Sequence, residues 1–133
     1  LIIVTADHSH TMTISGYPAR GNPILGKVNP GLGPDLKGLD GKPYTTLSYA
    51  NGQTGCRLVD GEAECTREDL SDVDTTAKDF LQPSLVPMYS ETHGGDDVAI
   101  FATGPGSELI SGVMEQNEIF HVMGRASGLV AAE

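Results

Sequence analysis

Asp7, His8 and His10 stand within four positions of one another, in the stretch LIIVTADHSHT that opens the chain. A carboxylate and two imidazoles are side chains that bind zinc. The chain has four histidines, and two of them are here. In an extended segment His8 and His10 face one way and Asp7 the other. The three could therefore serve two adjacent metals, or one metal and the groups that orient its ligands. The same residues also make an ordinary capped turn at a strand end, and the pattern alone leaves both readings open. A second group lies far downstream in ETHGGDDVAIFATGPG, where His93 is followed by two glycines and then by Asp96 and Asp97. The glycines let backbone approach something closely. By itself His93 reads as a turn histidine at the start of a strand. It can converge with Asp7 and His8 if the strands before and after the intervening chain are neighbours in one sheet.

The elements around these groups follow from hydropathy. Residues 1–4 (LIIV) are apolar and mostly β-branched, the pattern of a buried strand. In open α/β sheets ligands bind beyond the carboxyl ends of strands, which is where Asp7 falls. Residues 11–15 (TMTIS) alternate and read as an edge strand, and residues 98–102 as an apolar strand ended by Gly104-Pro105-Gly106. Ser107 is a candidate N-cap for a helix over 107–115, with Leu109, Ile110, Val113 and Met114 at helical spacing. Asn117 is placed to cap a second helix with an apolar face of Ile119, Phe120, Val122, Met123 and Ala126, stopped by Gly128. His121 lies among those apolar residues and reads as a structural histidine, not a ligand.

Between the two groups the composition changes. Residues 27–90 are rich in Gly, Pro, Asp and Thr, with short β-prone pieces at 44–49 (YTTLSY), 57–59 and 85–88, the last broken by Pro87. Asn51-Gly52 and Asp60-Gly61 are hairpin signals, and 62–79 is an acidic, weakly patterned loop. This organisation predicts core strands with a metal-ligand loop over 1–26, a small β-rich insertion over 27–90, and a core strand with C-terminal helices over 91–133. Cys56 and Cys65 bracket the Asp60-Gly61 turn. A hairpin there would bring the thiols together, which favours a disulfide and an oxidising compartment. Two free thiols in a cytosolic loop are the alternative.

The chain has 133 residues and a net charge of −10, from 18 acidic and 8 basic side chains. That balance disfavours nucleic acid, whose phosphates need a basic stripe. No stretch is long and apolar enough to span a membrane. The sequence opens inside a strand pattern without a leader, and a sheet buried on both faces needs more strands than it supplies. We therefore expect the C-terminal part of a larger α/β fold, whose remainder covers residues 1–4.

TADHSH followed by GYPARG, then ETHGGDDVAIFATGP, then HVM near the end, resembles the C-terminal part of alkaline phosphatases, particularly the animal-type forms. The resemblance runs from residue 1 to about residue 128 and includes YTTLSYANG within the insertion. It implies an α/β sandwich, a central sheet flanked by helices, with the 27–90 insertion as a small crown at a homodimer interface and on the active-site rim. Tyr89 and Ser90 would then lie near the entrance. It also implies phosphate monoester hydrolysis through a phosphoserine intermediate at two zincs, with a magnesium site beside them. By matching position Asp7 and His8 would bind one zinc and His93 the other, and His10 would orient a carboxylate ligand of the latter. Imidazole ligands must be neutral, so activity would fall in acid. The family's nucleophilic serine, remaining ligands, magnesium glutamate and phosphate-gripping arginine have no match here, and Arg20 does not match that arginine. The missing N-terminal portion of the same protein would be the obligate partner. Such enzymes are extracellular, on the outer face of the plasma membrane, or periplasmic. A related two-metal phosphodiesterase or sulfatase shares parts of these motifs, and a non-catalytic metal-binding fragment is the reading from another class.

Overall fold

A computed structural model describes residues 1–54, 57–60, 62–64 and 66–129. Its elements are β1 (Ile2–Thr5), β2 (Met12–Ile14), β3 (Leu47–Gly52), β4 (Arg57–Val59), β5 (Glu62–Glu64), β6 (Ser84–Pro87), β7 (Ile100–Thr103), a 3-10 turn at Ser107–Leu109 and α1 (Glu118–Ala126). Cys56 and Cys65, and with them the expected disulfide, lie outside the described residues. The chain divides into two compact units, Leu1–His8 with Asp97–Glu133, and Ser9–Asp96. The division falls at 8/9 and 96/97, where composition placed the edges of the inserted piece at 26/27 and 90/91. No helix among the described residues is long and apolar enough to cross a membrane.

In the first unit β1 and β7 pair antiparallel, with Ile2 opposite Thr103 and Thr5 opposite Ile100. The strands before and after the intervening chain are thus neighbours in one sheet. Thr5 Oγ1 donates to the Ala99 carbonyl at 3.0 Å, extending the pairing by side chain. Pleating puts Ile2, Val4 and Phe101 on one face. That face is open: these residues are 63%, 61% and 68% exposed. Among the described residues the ribbon has two strands and that face stands open, the face that the remainder of a larger fold is expected to cover. Gly106, at φ +87°, turns the chain against α1; a Cβ there would stand 2.7 Å from that of Ala126. The expected helix over 107–115 shrinks to the single turn Ser107–Leu109. Ile110 is already extended (φ −94°, ψ 106°) and Gly112 has φ +65°, so the 3.6-residue pattern is never propagated. α1 forms as expected, with Asn117 at the N-cap position but without a side-chain capping bond. Its C-terminus is a Schellman motif: Gly128 N–H donates to Arg125 O at 3.1 Å and Leu129 N–H to Gly124 O at 3.0 Å, with Gly128 at φ +72°. Val122 is buried, whereas Phe120 and Met123 are largely exposed. His121 is exposed as well and packs edge-on to the Phe120 ring at 5.4 Å.

The second unit is built on a three-stranded sheet of order β2-β3-β6, in which β2 pairs antiparallel and β6 parallel to β3. Its small core is Val28, Leu47 and Leu70 with the hydroxyls of Thr45, Thr46 and Thr75 buried among them. Each such aliphatic side chain contributes roughly 2 kcal/mol by burial. Lys27 braces the acidic loop: its ammonium donates to the carbonyls of Leu70 (2.9 Å), Ser71 (3.1 Å) and Val73 (3.1 Å). Arg67 grips Asp40 through two nitrogens at 3.0 and 2.7 Å and also donates to the carbonyls of Lys42 and Pro43. β4 and β5 pair antiparallel with Val59 opposite Glu62, and Asp60 has the positive φ (52°) that tight hairpin turns require. Asn51-Gly52, the other hairpin signal, instead ends β3. Gly52 is in register with Pro87 of β6, and Asn51 uses its side chain for a different purpose.

Candidate functional site

The histidine-bearing stretches lie at the two places where the chain passes from one unit to the other. In the first unit, β1 runs out through Ala6 into Asp7 and His8. Gln116 Nε2 donates to the Asp7 carbonyl at 3.2 Å, which ties the end of this run to the segment before α1. The Asp7 carboxylate is 82% exposed, and His8 Nε2 stands 3.4 Å from its Oδ2.

In the second unit, His10 and His93 come together. Their rings meet edge to face with centroids 5.5 Å apart. Glu91 joins them. Its Oε2 lies 2.6 Å from His10 Nδ1, and its Oε1 accepts from Thr11 Oγ1 at 3.2 Å. An ionised carboxylate can only accept, so the proton of this bond sits on Nδ1 and fixes the orientation of the ring. The hydrogen bond from His10 holds the Glu91 carboxyl below its ordinary range. Desolvation opposes that shift, and the Thr11 hydroxyl and the charges of His10 and His93 reinforce it.

The segment carrying His93 is pinned residue by residue. Thr92 N–H donates to Asn51 Oδ1 at 2.8 Å and Asn51 Nδ2 donates to Thr92 Oγ1 at 2.9 Å. Gly94 N–H donates to Ser9 O at 2.7 Å, part of an isolated antiparallel bridge. Ser9 Oγ donates to Asp96 Oδ2 at 2.9 Å. Gly94 has no room for a side chain: a Cβ there would stand 2.8 Å from Ser9 Oγ, 2.8 Å from the Thr11 nitrogen and 3.0 Å from Asp96 Oδ2. A cleft of about 340 Å³ adjoins these residues. His10, Glu91, Asn51, Gln82 and Ser90 are among its lining, and the otherwise enclosed Gln82 Oε1 has no hydrogen-bond partner.

Of the expected ligands, Asp7 and His8 thus stand together in one unit, and His93 stands beside His10 in the other. Within neither unit do three or more of the described His, Cys, Asp and Glu side chains form a group that could hold a metal ion. The donor types, imidazole nitrogen and carboxylate oxygen, are those zinc accepts. The pairing of a histidine N–H with a carboxylate is the arrangement that orients ligands around such an ion. Sequence reading missed Glu91 as the partner of His10, although it stands two residues before His93. It also missed Asn51, whose Asn-Gly dipeptide carried a stronger turn signal.

Residues 1–129 match the family model of alkaline phosphatase. Over 127 residues, 96% of this chain, the sequence is 49% identical to the tissue-nonspecific isozyme of alkaline phosphatase from Rattus norvegicus, covering 22% of that protein. It is 46% identical over the same length and shares to the tissue-nonspecific isozyme from Homo sapiens. To an alkaline phosphatase from Gadus morhua it is likewise 46% identical, covering 24% of that protein. The chain spans less than a quarter of the length of these curated relatives.

Proposed function

The chain belongs to the alkaline phosphatase family, and from that premise we propose that it is the segment of a phosphate monoester hydrolase that supplies part of a two-zinc site. The observation that supports this most is the pinned His93 segment lying against the oriented His10–Glu91 pair. In this reading Asp7 and His8 hold one zinc, His93 holds the other, and His10 and Glu91 orient the surroundings of the second. Zinc, when bound, supplies Lewis-acid stabilisation to the entering and leaving oxygens of phosphoryl transfer. The residues of this chain act by staying in place. The Gln116 bond at the end of β1 and the hydrogen bonds along residues 91–94 keep the donors from rearranging as charge shifts during the reaction. The nucleophilic serine and the magnesium ligands belong to a portion of the protein N-terminal to this segment. The β-rich piece over 27–90 takes the part of the crown, with a homodimer forming through it, in an exported or surface-held enzyme.

The test is hydrolysis by the complete protein of a phosphate monoester, a phosphodiester and a sulfate ester, before and after chelation. Monoester turnover that disappears with chelator and returns with zinc is the expected result. A preference for the diester or the sulfate ester overturns the substrate class. Zinc-independent turnover overturns the site.

A further inference from the structure

Three consecutive residues at the end of β3 hold the segment that leads to His93. Gln53 Nε2 donates to the Tyr89 carbonyl at 2.8 Å, Gly52 O accepts from Met88 N–H at 2.6 Å, and Asn51 makes the two bonds to Thr92. Of these only Asn51 grips the residue directly before His93, and it does so at both a backbone and a side-chain atom. The orientation of its carboxamide is determined by the contacts. A backbone N–H can only donate, so oxygen must face Thr92 N, which leaves the NH2 to face the Thr92 hydroxyl. Two bonds at one residue suppress both translation and rotation of the peptide that carries the His93 side chain. Glu91 and Gly94 are tied to His10, Thr11 and Ser9, a different strip of chain. Removing Asn51 would therefore release the two hydrogen bonds that, among the described residues, couple this loop to the sheet at Thr92.

We propose that Asn51 is a positioning residue for the imidazole of His93, setting how tightly the metal held by that histidine is retained. This rests on the reading of His93 as a zinc ligand. Partners that orient a ligand typically change metal affinity by tenfold or more when removed.

The experiment uses the complete enzyme, loaded with zinc and then mixed with a chromogenic zinc chelator, with release followed in time. Asn51→Ala should release zinc about ten- to a hundredfold faster than wild type. Asn51→Asp should stay near the wild-type rate, because its carboxylate accepts from Thr92 N–H and from the Thr92 hydroxyl once that rotor turns. Thr92→Val deletes only the hydroxyl and should give a smaller acceleration than Asn51→Ala, and it decides the matter if Asn51→Ala does not fold. Thermal midpoints with and without zinc separate positioning from general support: Asn51→Ala should lower the zinc-loaded midpoint more than the zinc-free one. Equal drops, or Asn51→Ala and Thr92→Val at the wild-type rate, overturn the inference. His93→Ala is the control. If it loses zinc while Asn51→Ala behaves as wild type, only the role of Asn51 falls. If it keeps its full zinc, the ligand reading itself falls, and this inference with it.

Discussion

Two adjacent glycines give a sharp test of how tightly the His93 loop is built. A Cβ on Gly94 would stand 2.8 Å from the Thr11 backbone nitrogen, whereas one on Gly95 would meet nothing within 4 Å. Neither glycine has a positive φ, so backbone strain is not at issue at either. Ordinary contact begins at 3.4 Å, and backbone cannot swing aside as a flexible side chain does, so Gly94→Ala must move its segment away from that of Thr11 by about 0.6 Å. Overpacking of this kind costs about 2 kcal/mol. A misplacement of about 1 Å near a reacting centre can cost about a hundredfold in rate, so about 0.6 Å beside His93 should cost on the order of tenfold. The assay is monoester turnover and thermal midpoint of the complete enzyme carrying each substitution. Gly94→Ala should lose about tenfold in kcat and a few degrees in midpoint. Gly95→Ala should stay at wild type or gain slightly in stability, because alanine restricts the unfolded chain. Two variants that behave alike, or a Gly95→Ala worse than Gly94→Ala, would refute the reasoning.

Asp40→Asn tests the Arg67 grip. The hydrogen bonds from Arg67 and from the Lys42 backbone hold the Asp40 carboxyl below its ordinary value of 3.8. A carboxyl lowered by folding stabilises above its unfolded pKa and loses that contribution as pH falls through the folded value. Wild type should therefore be the more stable above about pH 4, with the gap closing below it, and a gap independent of pH would contradict this. Lys27→Met keeps the aliphatic stem but strips the ammonium from three carbonyls. It should destabilise by roughly 2 kcal/mol in denaturant titration, and an unchanged midpoint would show that water replaces the ammonium freely. His121→Ala should leave the pH profile and zinc content alone and shift stability by less than about 0.5 kcal/mol, since the ring is exposed. Selective zinc loss would make it a ligand.

The short apolar runs at 2–5 and 100–103 were legible as strands, because β-branched and aromatic residues bounded by Gly, Pro and Asp have few other solutions. The helix Glu118–Ala126 was legible from its spacing and its terminal Gly128. The segment 107–115 was not, because its apolar spacing is real but Gly112, in a left-handed conformation, interrupts it before a second turn closes. Asn51-Gly52 carried a hairpin signature that tertiary structure overrode: the strand continues to Gly52 because Asn51 finds its hydrogen-bond partner in Thr92, forty-one positions away. His121 lies among apolar residues, but apolar neighbours predict burial only if something packs on them, and here Phe120 is 65% exposed. The same reasoning applies to Ile2 and Val4. Their apolar pattern predicts a cover from the remainder of a larger fold, and in this chain, at less than a quarter of its relatives' length, that face is open. Within the candidate site, residue types single out Asp7, His8 and His93 as candidate ligands and His10 as a residue that would orient one. The carboxylate at His10 and the amide at Thr92 depend on contacts between residues 81 and 41 positions apart, which no local pattern reveals.

The most direct test of the central claim is the zinc content of the complete enzyme by elemental analysis, in wild type, His93→Ala and Asp7→Ala. A two-metal site predicts about two zincs per chain in wild type and about one after either substitution. Full zinc retained in both variants would contradict the assignment of these residues as ligands.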